Sequence, residues 1–263
     1  MAEEDLKTSS RPAASSDSLV GVERVDLNAD AGESEDSSTD EALLDFVTSV
    51  SLACGVHAGS PAAIASLSAK ARAKGVGVGA HPGLPEGRKP RIISPMEAEE
   101  AVRIQIETFR KHSQAPLQHA KPHGALYHAA RDPRVAKAVA EAVRELGVPI
   151  LVAQAGSPLE RAAKEAGVRV VAEAFLDRAY EPDGRLVARG RPGAILEDAG
   201  EAGGRALDIV LRNRLFAVNG REVAVRAGTL CVHSDNPAAL AIARVVRPAL
   251  EEAGVVVRPM GDP

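Results

Sequence analysis

Five strand-length apolar runs in this chain each stop at an acid or a histidine. Residues 25–30 end at Asp30, 52–57 at His57, 76–81 at His81, 119–123 at His123 and 230–235 at Asp235. Helix-like stretches separate most of them. Strands and helices that alternate in this way wind into a parallel sheet, closed or nearly closed. The carboxyl ends of such strands share one rim, and active sites of this architecture lie there. The pattern therefore predicts one cavity that gathers titratable groups from distant parts of the chain.

A length of 263 residues suits one α/β barrel. Hydrophobic residues make up 45% but aromatics only 2%, with no Trp, so the core has to be aliphatic. The 32 basic and 36 acidic residues leave a formal charge of −4, which offers no basic field to nucleic acid. Cys54 and Cys231 both fall in segments expected to be buried, which favours reduced thiols over a disulfide. No apolar stretch is long enough to cross a bilayer and no signal-peptide core precedes the first strand, so a cytoplasmic protein without membrane association is expected. Residues 1–21, rich in Ser, Ala and charge, read as a disordered tail, and 22–263 as a single barrel domain.

Strands are expected to end near Asp30, His57, His81, Lys121 and His233, with two more at 149–152 and 168–172. Asp40 reads as the N-cap of a helix through Leu43, Leu44 and Val47. Ser60-Pro61, Ser94-Pro95 and Ser157-Pro158 open three further helices. Residues 133–146 and 198–212 are helical, and Asn236-Pro237 begins the last helix, which stops at Gly254. Asn219-Gly220 signals a hairpin with a type I′ turn. Residues 175–192 form a loop longer than ordinary connections, which points to function.

Asp26, Asn28 and Asp30 alternate, so their side chains leave one face of the first strand. Carboxylates on a strand made for burial need partners. Three oxygen groups there suit a metal, a base or a substrate amine; the alternative is that they bond neighbouring loops. His57 and His81, at two strand ends, suit a divalent metal or proton transfer, with Asp30 as third metal candidate. Each histidine alone would pass as structural. His119, Lys121 and His123 share one side of their segment. A lysine closing an apolar strand is costly unless it meets an anion or a developing negative charge. Asp177, Arg178 and Tyr180 offer an acid, a guanidinium able to clamp a carboxylate, and a phenol. His233 and Asp235 repeat the pairing of acid and imidazole. The chain has no Gly-x-x-x-x-Gly-Lys-Ser/Thr loop, no Gly-x-Ser-x-Gly elbow and no Cys-x-x-Cys spacing, and residues 77–82 fail the Gly-x-Gly-x-x-Gly pattern at its last position.

The runs DLNADAGE at 26–33, ACGVHAG at 53–59, GAHP at 79–82, HAKPHGALY at 119–127, FLDRAY at 175–180 and CVHSD at 231–235 resemble, in order, the motifs of the LamB/YcsF family. The resemblance runs from about Arg24 to Arg258. It departs from the family pattern where Ser51 stands for Asn, Ser60 for Asp and Ser234 for Gly, and the loops after Glu33 and His81 are shorter.

The resemblance implies an irregular seven-stranded (β/α) barrel, TIM-like and related to the glycoside hydrolase/deacetylase fold. It also implies the A component of an ATP-dependent 5-oxoprolinase, a hydrolase that opens the cyclic amide of 5-oxoproline to L-glutamate beside partner subunits B and C. ATP would be used by the complex rather than bound by this chain alone, in keeping with the missing phosphate loop. A divalent metal and a homo-oligomer stay open. On this reading Asp30 or His57 serves as general base, and Lys121, helped by His123, holds the oxyanion. Arg178 clamps the substrate carboxylate, oriented by Asp177 and Tyr180. Asp26, Asn28, His81, His233 and Asp235 complete the pocket or bind a cation, and Tyr127 belongs to the substrate-binding set. The alternatives are a self-contained metal-dependent amidase or deacetylase using Asp30, His57 and His81, and a binding or scaffold paralogue without chemistry.

Overall fold

A computed structural model describes residues 23–85 and 91–262; the tail expected at 1–21 lies outside the described residues. In chain order the elements are β1 (Arg24–Ala31), α1 (Ser38–Leu43), β2 (Ser49–Ala53), α2 (Pro61–Ala73), β3 (Gly77–His81), α3 (Pro95–His112), β4 (Leu117–Ala120), α4 (Gly124–Ala129) and α5 (Pro133–Glu145). There follow β5 (Ile150–Gln154), α6 (Pro158–Glu165), β6 (Arg169–Phe175), α7 (Ala199–Arg212), β7 (Arg214–Phe216), β8 (Glu222–Ala224), β9 (Thr229–His233), α8 (Ala239–Glu252) and β10 (Val256–Val257).

Strands β1 to β6 and β9 pair in parallel in that order, and β1 pairs again with β9, so seven strands close a barrel. The short β10 adds to the start of β1. Four helices begin with Ser-Pro or Asp-Pro. Proline needs no donor at the first helical position, and the residue before it caps. Ser60, Ser94, Ser157 and Asp132 each accept from a backbone N–H of the first turn at 2.8–3.2 Å. No helix among the described residues is long and apolar enough to cross a membrane.

Strands of a closed parallel barrel are covered on both sides, yet β1 alternates. Leu27 and Ala29 join the aliphatic core, while Asp26, Asn28 and Asp30 share the other face and are equally buried. Register continues that inner face around the barrel. Asp26, Asn28 and Asp30 lie opposite Thr229, Cys231 and His233 of β9, and Asn28 and Asp30 opposite Ser49 and Ser51 of β2. Gly79 of β3 sits opposite His119 of β4, where a Cβ would overlap the imidazole. The barrel is thus polar inside and aliphatic outside.

Several local expectations are corrected. Asp40 lies inside α1, whose N-cap position is Ser37, and its carboxylate accepts from Gly32 N–H at 2.8 Å. Strand β2 ends at Ala53, and a loop closed by Gly55 N–H to Ala58 O carries His57. Helix α4 was not expected. The last helix starts at Ala239, because the Asn236 side chain accepts from Ala238 N–H and donates to Leu196 O. The β7–β8 hairpin forms, but at its turn only Gly220 has positive φ, with Gly220 N–H bonded to Ala217 O. Type I′ would need Asn219 there too, so the turn carries a glycine bulge instead.

Candidate active site

The inner face is built in levels. At its floor Asp26 accepts from Thr48, Ser49 and Thr229 hydroxyls and from Met260 N–H, at 2.5–3.2 Å. Burial pushes its carboxyl up to about 6 despite those four donors. Asp26 therefore belongs to the floor, away from the cavity.

The middle level centres on Lys121, which is 1% exposed. Its Nζ lies 2.7 Å from Asp30 Oδ1, 2.6 Å from Glu173 Oε1, 3.1 Å from Asn28 Oδ1 and 3.1 Å from Cys231 Sγ. Burial alone would lower the lysine, but Asp30, Cys231 and Glu173 outweigh it and hold the ammonium well above its usual range. Burial likewise acts against ionised Asp30, yet His81 and Lys121 hold that carboxyl well below the ordinary value. Asn28 uses its amide nitrogen on Glu173 (3.1 Å) and Thr229 (2.6 Å), and Tyr127 donates its phenol to Glu173 (3.2 Å). Glu173 was not singled out in the sequence, although an acid within the apolar run of β6 carries the same signal as Lys121.

The rim holds two imidazole groupings. In the first, His57, His81 and His123 gather around Glu33. In the second, Asp177 takes both His233 N–H (3.0 Å) and His233 Nδ1 (2.9 Å), leaving Nε2 toward the cavity and 3.9 Å from Asp30. Phe175 stacks on His233 with centroids 5.3 Å apart. Burial pushes His57 down and His123 down to about 4, despite Glu33 beside them. It also lowers His119, which lies next to Ser51 Oγ at 3.0 Å, to about 3.

Above these groups opens a cavity of about 940 Å³, lined by Asp30, Glu33, His57, His81, Lys121, His123, Tyr127, Phe175 and His233, with an arginine-bearing outer wall. Of the other residues read from the sequence, Arg178 lines the cavity but is buried and donates to Val187 O (2.7 Å) and Ala194 O (3.3 Å). Tyr180 is buried, its phenol oxygen accepting from Phe175 N–H at 2.9 Å. Asp177 is buried behind His233, and Asp235 stands beside Arg189 at 3.1 Å. Arg131, Arg185, Arg189 and Arg191 also line the outer wall and went unread, because strand endings do not point to loop residues. Two departures from the family pattern have local partners: Ser51 beside His119, and Ser60 as the cap of α2.

Among the described residues, the cavity offers two sets of donors for a cation. Glu33, His57, His81 and His123 each bring one donor atom, all within 4.8 Å of one another. Asp30, Cys231 and His233 form the other set, but the Lys121 ammonium already lies against two of its three members. Of the metal set expected from the sequence, His57 and His81 fall in the first group, while Asp30 gives one oxygen to Lys121 and keeps the other 3.3 Å from His81 Nε2.

A LamB/YcsF family model matches residues 25–263. The A component of the Thermus thermophilus 5-oxoprolinase is 48% identical over 248 residues, covering 89% of this chain and 99% of that protein. Its counterpart from Pyrococcus furiosus is 41% identical over 251 residues, covering 91% and 98%. The crystal structure of a lactam utilization protein from Thermus thermophilus matches with a TM-score of 0.81 at 47% identity, over 90% of this chain and 100% of that one. The Xyl-CE4 domain of a xylanase from the hindgut metagenome of Trinervitermes trinervoides matches with a TM-score of 0.55 at 10% identity, over 91% and 88%, a likeness of fold alone.

Proposed function

Because the chain belongs to the LamB/YcsF family, we propose that it is the A component of a 5-oxoprolinase. It hydrolyses the cyclic amide of 5-oxoproline to L-glutamate in the cytoplasm, while partner subunits B and C couple the reaction to ATP. The observation that carries this reading is the buried Lys121 ammonium, fixed by Asp30 and Glu173 beneath the cavity. Its three N–H donors already face Asp30, Glu173, Asn28 and Cys231. A lactam carbonyl oxygen therefore takes the N–H shared by the two weaker partners, Asn28 and Cys231, and the cation in that dry site favours the oxyanion that forms.

In the reaction water adds to the lactam carbonyl carbon, the C–N bond breaks, and the ring nitrogen takes a proton. His233 is the best-placed group for that proton. Its Nδ1 is held by Asp177 and its Nε2 faces the cavity. It can take the proton from water and return it to the leaving nitrogen. Asp30 is kept ionised by its neighbours, which makes it a weak base and a good anchor for Lys121. The substrate carboxylate goes to the arginine-bearing wall, where Arg178 has Arg131 and Arg189 for company. Tyr127 and Phe175 face the apolar ring carbons. ATP is spent by the complex, and no step here places it on this chain.

The test is glutamate release from 5-oxoproline with both partner subunits and ATP present. Wild type is expected to turn over, and His233→Gln to lose about 100-fold in rate. No release by wild type refutes the function; a near-normal rate for the variant refutes the role of His233.

A further inference from the structure

Glu33, His57, His81 and His123 come from four different strand ends and converge at the rim. The Glu33 Oε1 atom is 2.8 Å from His123 Nδ1, 3.5 Å from His57 Nε2 and 3.6 Å from His81 Nε2, and His123 Nδ1 is 3.0 Å from His81 Nε2. The His57 and His123 rings stack at 3.8 Å, and His81 crosses both at 84°. The imidazoles are 2%, 1% and 5% exposed for His57, His81 and His123.

His81 Nδ1 lies 2.6 Å from Lys121 O, and a carbonyl can only accept, so Nδ1 donates there and Nε2 faces inward, 3.3 Å from Asp30 Oδ2. His57 makes no hydrogen bond through either ring nitrogen among the described residues. Ring nitrogens of three imidazoles and one carboxylate oxygen converge in a single buried space, a donor arrangement that suits a cation.

From this we infer that Glu33, His57, His81 and His123 bind a divalent transition-metal ion of the zinc class. Three imidazoles and one carboxylate are a borderline-soft donor set, and four donors match tetrahedral zinc. Tetrahedral ligands at zinc bond lengths stand about 3.4 Å apart. Four donor separations here run from 2.8 to 3.6 Å and all stay within 4.8 Å, so His57 has to turn off its stack on His123 to bring its lone pair to the ion. The His81 Nδ1–H bond to a backbone carbonyl is the outer contact that orients a ligating histidine. Gly83 belongs to the site as well, because a Cβ there would overlap the His57 ring. With four protein ligands the shell is closed, so the ion ties the ends of β1 to β4 together in the manner of a structural zinc. This goes beyond lactam hydrolysis and does not depend on it.

The full chain, stripped with a chelator, is titrated with Zn²⁺ and with Co²⁺, with no lactam, ATP or partner present. One ion per chain is expected, with the visible bands of tetrahedral cobalt and a raised melting temperature. His57→Ala and His123→Ala should each weaken binding by at least about 100-fold. Glu33→Gln, which keeps its shape, should weaken it too, whereas Glu181→Gln, at a carboxylate paired with Arg191 on the outer wall, should not. Wild type that binds no ion, or that binds it as well after Glu33→Gln and His57→Ala, overturns the site. Either result leaves the lactam reading standing, and absent glutamate release would leave the metal site standing.

Discussion

Replacing Lys121 by methionine keeps most of the stem and deletes the charge. It strands Asp30 and Glu173, whose carboxylates lie 2.7 and 2.6 Å from the ammonium and are 5% and 0% exposed. Breaking a buried pair by removing one partner costs about 3–5 kcal/mol, because the remaining charge has neither water nor counterion. At about 2–4 °C per kcal/mol for a domain of this size, the melting temperature should fall by about 6–20 °C. Formal charges make the second half of the test. Lys121 with Asp30 and Glu173 sums to −1, Lys121→Met leaves −2, and adding Glu173→Gln restores −1. The double variant should therefore recover a good part of the loss, a coupling read from urea unfolding of both single variants and the pair. Turnover should fall at least about tenfold in Lys121→Met and stay low in the double variant, since the oxyanion partner is gone from both. A loss under about 1 kcal/mol, or strict additivity of the two substitutions, would refute the argument that this ammonium is held by its carboxylates.

Three further outcomes follow from the same geometry. The Asp26 carboxyl is lifted from 3.8 to about 6 by burial, so the folded state keeps a proton that the unfolded chain has released. Its contribution to stability should therefore decline as pH rises through that window, by about 3 kcal/mol in all; the difference in unfolding free energy between wild type and Asp26→Asn should drift with pH, and a flat difference speaks against it. Tyr180→Phe leaves the buried Phe175 N–H without its acceptor and should cost about 1–3 kcal/mol with an unchanged KM for 5-oxoproline; a raised KM at unchanged stability would return Tyr180 to the substrate. Gly79→Ala pushes a methyl into the His119 ring and should destabilise by about 1–3 kcal/mol, read as a lower melting temperature.

Strand endings were legible because period and burial are local properties. The alternation of Asp26, Asn28 and Asp30 already implied one inner face, and a lysine closing an apolar run already implied an anion. What the anion was could not be read, since Lys121 meets Asp30 from 91 residues away across the barrel, with Glu173 beside it. Glu33 stood in plain sight as a turn residue, and only the fold shows that turn bending back over three histidines. Arg178 was legible as a guanidinium at the cavity; that two of its five donors are spent on the Ala194 and Val187 carbonyls was not. Helix α4 is too short for periodicity to reveal, and the Asn219-Gly220 pair signalled a hairpin correctly but not its turn, because Asn219 stays at negative φ.

The first strand among the described residues pairs with one of the last. Asp26 meets Thr229 across 203 residues, and β10 joins the same strand later still. While the ribosome works through the intervening chain, β1 has one edge without its neighbour, and loop closure over that distance is slow. Messages that stop short of residue 229 would thus yield an open sheet with a bare, buried-type edge, prone to clump with its own kind. Cells producing this chain have reason to shield the nascent protein until its final strands emerge.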